Sequence, residues 1–548
     1  MKKINNLTLR YTGLLLLALV LFSCEKDILD QVPKDSLTEE LVWTDPQGAI
    51  QFVNLIYGDM PSGFDRNYDW WAKGLYLLDG ASDDGDVSMG WTHSSLLQTG
   101  DFLPTYVPWG NQWPIYYGLV RKTNVALENL DRLEDEELRN RLKGEVYYLR
   151  GYIYHDLLRL FGLKNGGGEA TGVPLIDKSL SIEDDLQIPR ATYSEVVDFI
   201  ISDLDMAAGL LPAKGDIAEG RATSGAAKAL KSRVLLYAER WDEAASAANE
   251  VISRGAYSLF PDYRTIFLTK NNEEVIFAKK FQYPDKHHQS NAGGTQGAGW
   301  DVYNTPSSYK GPSDAGWGGN LPTQNFVDSY EMVDGQAQSE SSLFDPVQPF
   351  ENLDPRFEAT VVHNGANFRG REVELFEGGT DIPFIHTGYF LRKFHNEDLV
   401  IYSQSSDQDW IFIRLAEVLL NYAEAKNETS GPDGSVYEAI NRIRQRAGMP
   451  NLPAGLSQDD MRERIRNERR VELAFEEHRY FDIRRWGIAE DLLNGPLLGM
   501  KITPNGLGGY TYSKIEFEER KFPTKLYVLP IPQDEIDKNP AARQINGW

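Results

Sequence analysis

Apolar positions recur at helical spacing through much of the chain. Leu142, Val146, Leu149, Ile153, Leu157 and Leu160 share one face of a predicted helix, and Gly162 supplies its stop. Thr192, Tyr193, Ser194 and Glu195 have the spacing of a capping box and predict a helix reaching Leu211, just before Pro212. Ala226, Leu230, Val234 and Tyr237 form a further stripe. Trp241 opens its partner helix, with Ala244, Ala245, Ala248, Val251 and Ile252 facing inward and Gly255 closing it. Helical spacing resumes at Asp409, where Ile411, Leu415, Val418, Leu419 and Tyr422 share a face. Ser457 to Asp460 then caps a helix predicted to run to about Trp486. Between these blocks the period fails. Val275-Ile276-Phe277 and the stretch around Tyr527 to Pro530 read as short strands. Asn291 to Gly319 holds eight glycines among Trp300, Tyr303, Tyr309 and Trp317, which predicts a long structured loop.

The pair of helices from Thr223 to Gly255 resembles a tetratricopeptide unit, because small alanines let two antiparallel helices approach closely. The expected fold class is therefore mainly α: a tetratricopeptide-like helical framework with a loop-rich second lobe containing short strands. At 548 residues and 41% hydrophobic, the chain can bury a large core. Its formal net charge of −25 repels phosphate backbones, which excludes nucleic acid as a natural partner. The single cysteine, Cys24, rules out an intrachain disulfide and any cysteine-rich zinc site.

That cysteine sits at an informative place. Lys2, Lys3 and Arg10 precede an apolar run from Gly13 to Phe22, about half of the roughly 20 residues needed to span a bilayer. This is the pattern of a signal peptide. Leu21-Phe22-Ser23-Cys24 resembles a bacterial lipobox, in which the cysteine is lipidated and becomes the new N-terminus. Acyl chains contributing about 0.8 kcal/mol per buried CH₂ would then hold the protein stably on a membrane. Glu25-Lys26-Asp27 resemble the acidic signal that directs Bacteroidetes lipoproteins to the cell surface.

Four further segments carry a resemblance to one family. Leu29-Asp30-Gln31-Val32-Pro33-Lys34-Asp35 follows the lipobox. Arg414 to Ala425 reads RLAEVLLNYAEA, Arg469 to Gly487 reads RRVELAFEEHRYFDIRRWG, and Leu529 to Pro540 reads LPIPQDEIDKNP. In order and spacing these are similar to the SusD/RagB family of nutrient-binding outer-membrane lipoproteins. The resemblance implies a non-catalytic, lipid-anchored protein of the outer membrane's cell-surface side. It would capture an oligo- or polysaccharide and deliver it to a SusC-like TonB-dependent transporter, with no cofactor. Some members, including the RagB branch, handle peptides, which is the alternative ligand class. On this reading residues 1–23 are a lipoprotein signal peptide and 24–40 a tether. Residues 41–265 form the N-terminal helical region, and 266–548 the C-terminal region with a loop-rich ligand-binding insertion at 281–404.

Aromatic rings match the C–H faces of sugars, and Asp, Asn, Gln and Arg match their hydroxyl rims. Of the 12 tryptophans, Trp70, Trp71, Trp91, Trp109 and Trp113 fall in one glycine-rich stretch, and Trp300 and Trp317 bracket the second. The expectation is that these two loops face each other and form a glycan platform. Its candidates are Trp70, Trp71, Trp91, Trp300, Tyr303, Tyr309 and Trp317, with Asp83 and Asp84 available to hydroxyls. The bland alternatives are rings that pack their own loops and a solvated acidic turn. Trp241, Trp410 and Trp486 sit in helical patterns and are expected in the core. A calcium loop of EF-hand type fails, because Met89 stands where its glycine must be. The acids of the 461–486 helix (Glu468, Glu472, Glu476, Asp482) alternate with Arg469, Arg470, Arg479 and Arg485. That pattern predicts salt bridges rather than the free carboxylate pair of a glycoside hydrolase, the less favoured reading. No metal site is expected; His287-His288 has no third ligand in sight.

Overall fold

A computed structural model describes residues 39–66, 76–90, 92–164, 170–283, 300–309, 316–383, 385–400 and 406–548. The segment read as a signal peptide, Cys24 and the histidine pair at 287–288 lie outside the described residues. Helix already begins at Glu39, inside the last two residues of the segment read as a tether.

The longer helices are α1 (Pro46–Asp59), α2 (Gln112–Asn129), α3 (Glu136–Phe161), α4 (Tyr193–Leu210), α5 (Ser224–Tyr237), α6 (Trp241–Ser253), α7 (Leu415–Ser430), α8 (Gly434–Arg446), α9 (Gln458–Glu472) and α10 (Arg479–Arg485). Local chemistry fixes their starts. Asp45, Asp135, Asp433 and Ser457 each accept a hydrogen bond from a first-turn N–H. Thr192 and Glu195 complete the predicted capping box of α4. Consecutive helices stack: α2 on α3, α3 on α4, α4 on α5, α5 on α6. After a long detour α7 packs on α6 and α5, and α8 and α9 pack on α7. Ala226, Ala229, Ala244 and Ala248 are fully buried, so backbones approach closely along the predicted tetratricopeptide-like pair.

The detour leaves and returns through one small sheet. Strand β1 (Gly85–Val87) belongs to the N-terminal half. Strand β2 (Val275–Lys279) and strand β4 (Trp410–Arg414) are antiparallel neighbours, with Lys279 opposite Trp410. Strand β3 (Asn320–Pro322), inside the detour, pairs with β1. A hairpin, β5 (Gly495–Pro504) and β6 (Tyr510–Arg520), completes the second lobe. No described helix is long and apolar enough to cross a membrane.

Three sequence expectations change. Residues 410–414 are strand, not the start of a helix, because Trp410, Ile411, Phe412 and Ile413 favour a pleated ladder and all are buried against β2. The helix expected from Ser457 to Trp486 stops at Glu472. Phe475 and Glu477 take positive φ (58° and 60°), which reverses the chain before α10. Near Tyr527 the backbone forms a short 3₁₀ turn at Thr524–Tyr527 rather than a strand. The β5–β6 hairpin has no counterpart in the sequence reading.

The broken helix lies in an ion-pair network. Arg414 bonds Glu274, Glu472 and Glu476, while Arg356 bonds Asp354, Glu468 and Glu472. Arg446 adds Glu274 and Glu472; Arg444 joins Glu468 to Glu331. Arg469 and Arg485 both hold Asp482. Burial alone would raise the Glu472 pKa, but Arg446, Arg414 and Arg356 hold it well below the usual carboxylate range.

Candidate functional site

The two glycine-rich loops do meet. Across β1 and β3, Gly85 lies opposite Pro322 and Val87 opposite Asn320. Ser88 N–H extends the pairing to Gly319 O (2.9 Å), and Thr323 N–H bonds Asp84 O (3.0 Å). Leu77 N–H donates to the Asn320 side chain (2.9 Å). Gly319 adopts φ 38°, and an added Cβ would lie 2.0 Å from Asn304 Oδ1. Only glycine fits this junction.

The aromatic candidates separate by environment. Trp70, Trp71 and Trp91 lie outside the described residues. Trp300 is fully buried, contrary to its expected exposure. It packs 5.1 Å from Phe64 and 5.4 Å from Phe394, in an aromatic knot that also includes Trp410. Gly63 lets this knot close, since a Cβ there would meet the Trp410 ring at 2.2 Å. Trp109 and Trp113 are buried as well; Trp113 stands edge-on to Phe161 at 5.1 Å.

Trp317 differs. It is half-buried and lies against Tyr303, with centroids 5.2 Å apart and planes tilted by 33°. Tyr303 is mostly covered, so it backs the indole rather than presenting its own face. Tyr309 is half-buried too. Its hydroxyl donates to Phe368 O (2.9 Å), and the Arg371 guanidinium lies 4.0 Å over its ring. Burial pushes the Tyr309 pKa up to about 12. Arg371, partly exposed, grips Asp381 through two bonds of 2.6 and 2.9 Å. Trp317 thus presents a ring backed by Tyr303, while Tyr309 and Arg371 form a separate cluster held by Asp381.

Asp83 and Asp84 do not face solvent. They are buried beneath β1 and bound to the broken helix. Arg479 holds Asp83 through two 2.8 Å bonds, and Arg470 bridges Asp83 (2.9 Å) and Asp84 (2.5 Å). Burial would raise the Asp83 pKa, yet Arg470 and Arg479 hold it below the carboxylate range. Asp84 goes the other way. Burial, assisted by the neighbouring Asp83 charge, pushes it up to about 6, and its Oδ2 has no hydrogen-bond partner. These aspartates anchor the first loop to the frame instead of meeting hydroxyls. Trp241 and Trp486, expected in the core, are half-buried.

Sequence reasoning missed His386 and Phe517. His386, 40% exposed, bonds Asp86 at 2.5 Å and lies 5.3 Å from the Phe517 ring on β6. Its neighbour Ile385 sits so close to Gly318 that a Cβ on that glycine would come within 2.6 Å of Ile385 Cδ1. His386 therefore borders the Trp317 loop. No local signal marks it; it reaches the patch from a separate loop. Among the described residues, no group of three or more His, Cys, Asp and Glu residues is arranged to hold a metal ion.

Comparison with known proteins gives a consistent result. Residues 273–548 match the model described as the SusD family, and residues 74–236 match one described as starch-binding, associating with the outer membrane. A SusD-like protein of Formosa agariphila is 25% identical over 547 residues, covering 95% of this chain and 94% of its own length. The crystal structure of a SusD-like protein from Bacteroides fragilis superposes with a TM-score of 0.79 at 30% identity, covering 94% of this chain and all of the other. A SusD-like carbohydrate-binding protein from the same species gives a TM-score of 0.76 at 24% identity, over 92% of this chain and all of the other.

Proposed function

The chain belongs to the SusD family, and from that premise we propose that it captures oligo- or polysaccharide at the cell surface and passes it, uncleaved, to a SusC-like TonB-dependent transporter. The observation that carries the ligand class is the half-buried Trp317 laid against Tyr303, on the loop that pairs with the first glycine-rich loop. A flat indole backed by a second ring suits the C–H face of a pyranose, and Arg371 beside Tyr309 suits its hydroxyls. One structural relative, described as carbohydrate-binding, supports the same class. A binding rather than cleaving role is supported by the helix acids, since Glu468, Glu472, Glu476 and Asp482 are each held by arginine. The anchor is Cys24, carrying lipid on the outer membrane.

One or two stacked rings at roughly 0.5–1.5 kcal/mol each, with net hydrogen bonds of about 1 kcal/mol, leave a modest surplus after the costs of association. Micromolar to millimolar affinity follows, which suits a receptor that must hand its ligand onward. Affinity electrophoresis of the detergent-solubilised protein through gels containing plant, fungal and host polysaccharides tests the reading. Retardation by one glycan class, lost in Trp317→Ala, is expected. Passage through every gel without retardation, with binding of peptides instead, would overturn it.

A further inference from the structure

Where the C-terminal segment folds back over the loop before α4, it borders a half-open cavity of about 810 Å³. Among the described residues, its charged wall residues are Arg190, Lys525 and Arg543, with no aspartate or glutamate beside them. That composition stands out in a chain with 81 acidic and 56 basic residues. The volume falls within the range of small-molecule sites.

Among the described residues Arg190 has no counter-ion, and backbone carbonyls hold it in place. Its Nε donates to Gly172 O (2.8 Å) and its Nη2 to Phe161 O (2.5 Å), while Nη1 is buried and has no hydrogen-bond partner among the described residues. Partial burial pulls its pKa down to about 10, with only the Tyr117 hydroxyl opposing. A guanidinium fixed by two backbone carbonyls keeps its charge and its orientation while remaining uncompensated. The Lys525 ammonium lies 4.1 Å from the centroid of the Trp548 ring, which positions it without neutralising it. Arg543 is exposed, and its backbone takes φ 35°, a conformation that a non-glycine residue rarely adopts. Among the described residues, none of these three cations makes an ion pair. Val528 and Ile545 add an apolar patch to the same wall.

We propose that this cavity is a second binding site, specific for a small organic anion of monosaccharide to disaccharide size that carries a carboxylate or a sulfate ester. The three cations meet the anionic group, and Val528 with Ile545 meets a C–H face. The site shares no residue with the Trp317 ledge and stands independently of what that ledge binds.

Ligand-observed NMR titration of the full chain in detergent, with glucuronate, glucose 6-sulfate and neutral glucose as probes, tests this. At least one of the two anions should bind in the millimolar range, and roughly tenfold more tightly than glucose, as charge-assisted hydrogen bonds require. The tighter anion identifies the group. Added salt should weaken it. The double variant Lys525→Gln, Arg543→Gln should lose about tenfold in anion affinity at an unchanged melting temperature, because among the described residues neither side chain has a partner to lose beyond the Trp548 ring. Arg190→Gln should lose at least as much, read only if the protein still melts as the parent does. Trp317→Ala should leave anion binding unchanged. Binding of neither anion better than glucose, or anion affinity unaffected by the double variant, would overturn the proposal.

Discussion

Trp300 and Trp317 bracket one glycine-rich stretch, yet their surroundings predict opposite experimental signatures. Trp300 closes the aromatic knot with Phe64, Phe394 and Trp410, so Trp300→Ala should cost about 3–5 kcal/mol of stability, as large-to-small core substitutions do. Thermal unfolding would register it. Trp317→Ala removes a half-buried ring and should shift the melting temperature little, while weakening glycan binding by roughly tenfold, the upper reach of one stacked ring. Equal destabilisation by both would contradict this division. The sequence marks both residues as glycine-flanked; what separates them is Phe64 and Trp410, far away in the chain. Asp84 makes a second prediction. Its folded pKa of about 6 lies above the unfolded value of about 3.9. The folded state therefore binds the proton more tightly. This contributes stability that is full below pH about 4 and lost as pH rises through about 6. Asp84→Asn lacks that dependence. Its melting temperature relative to the parent should climb between pH about 4 and 7, and a flat difference would refute the assignment.

At the scale of elements, the helices were legible because their signals are local. The alanine stripe of α5 and α6, the Thr192–Glu195 capping box and the Ser457 cap all lie within a few residues of what they control. Strand β4 was misread, since four apolar residues before a helix look helical until β2 is beside them. The end of α9 was hidden for a different reason. Nothing in Phe475 or Glu477 forbids helix; the turn is held by Lys393 donating to Ala474 O (2.8 Å) and by Glu477 N–H donating to Asp79 (3.0 Å). The meeting of the two aromatic loops was anticipated, but its means, the β1–β3 ladder, was not. That ladder yields a sharp prediction at Gly319. An alanine there would meet Asn304 Oδ1, which also accepts from Asn320 N–H and its side chain (3.0 and 2.7 Å). Gly319→Ala should destabilise the protein by at least about 1 kcal/mol. It should also weaken glycan binding more than its position away from the ring face would imply, measured by calorimetric titration beside thermal melts.

Across the whole molecule, one buried ion-pair network ties frame to detour. Glu274 lies before the excursion, Glu331 and Arg356 within it, Arg414 just after it, and Arg444, Arg446, Glu468 and Glu472 in α8 and α9. Burial resists ionisation, but arginine partners hold Glu424 and Glu397 down at about 2 and Glu472 well below its usual range. Each contributes stability present above the unfolded value of about 4.3 and lost as pH falls toward 2. Acid should therefore unfold both lobes in one transition below pH about 4, seen together by tryptophan fluorescence and far-ultraviolet circular dichroism. Loss of tertiary signal well before helicity would show that the network does not unite them. The neck of the detour has a different kind of consequence. Lys279 and Trp410 are ladder partners, Lys280 pairs with Asp409, and Phe281 N–H bonds the same aspartate (3.0 Å), so a segment of more than a hundred residues begins and ends at one point. The entropic cost of closing such a loop grows only with the logarithm of its length. Inheritance can thus lengthen or shorten the exposed turns of the lobe at small entropic cost, so long as Glu331, Arg356, Trp300 and strand β3, which lock it to the helical frame, stay in place.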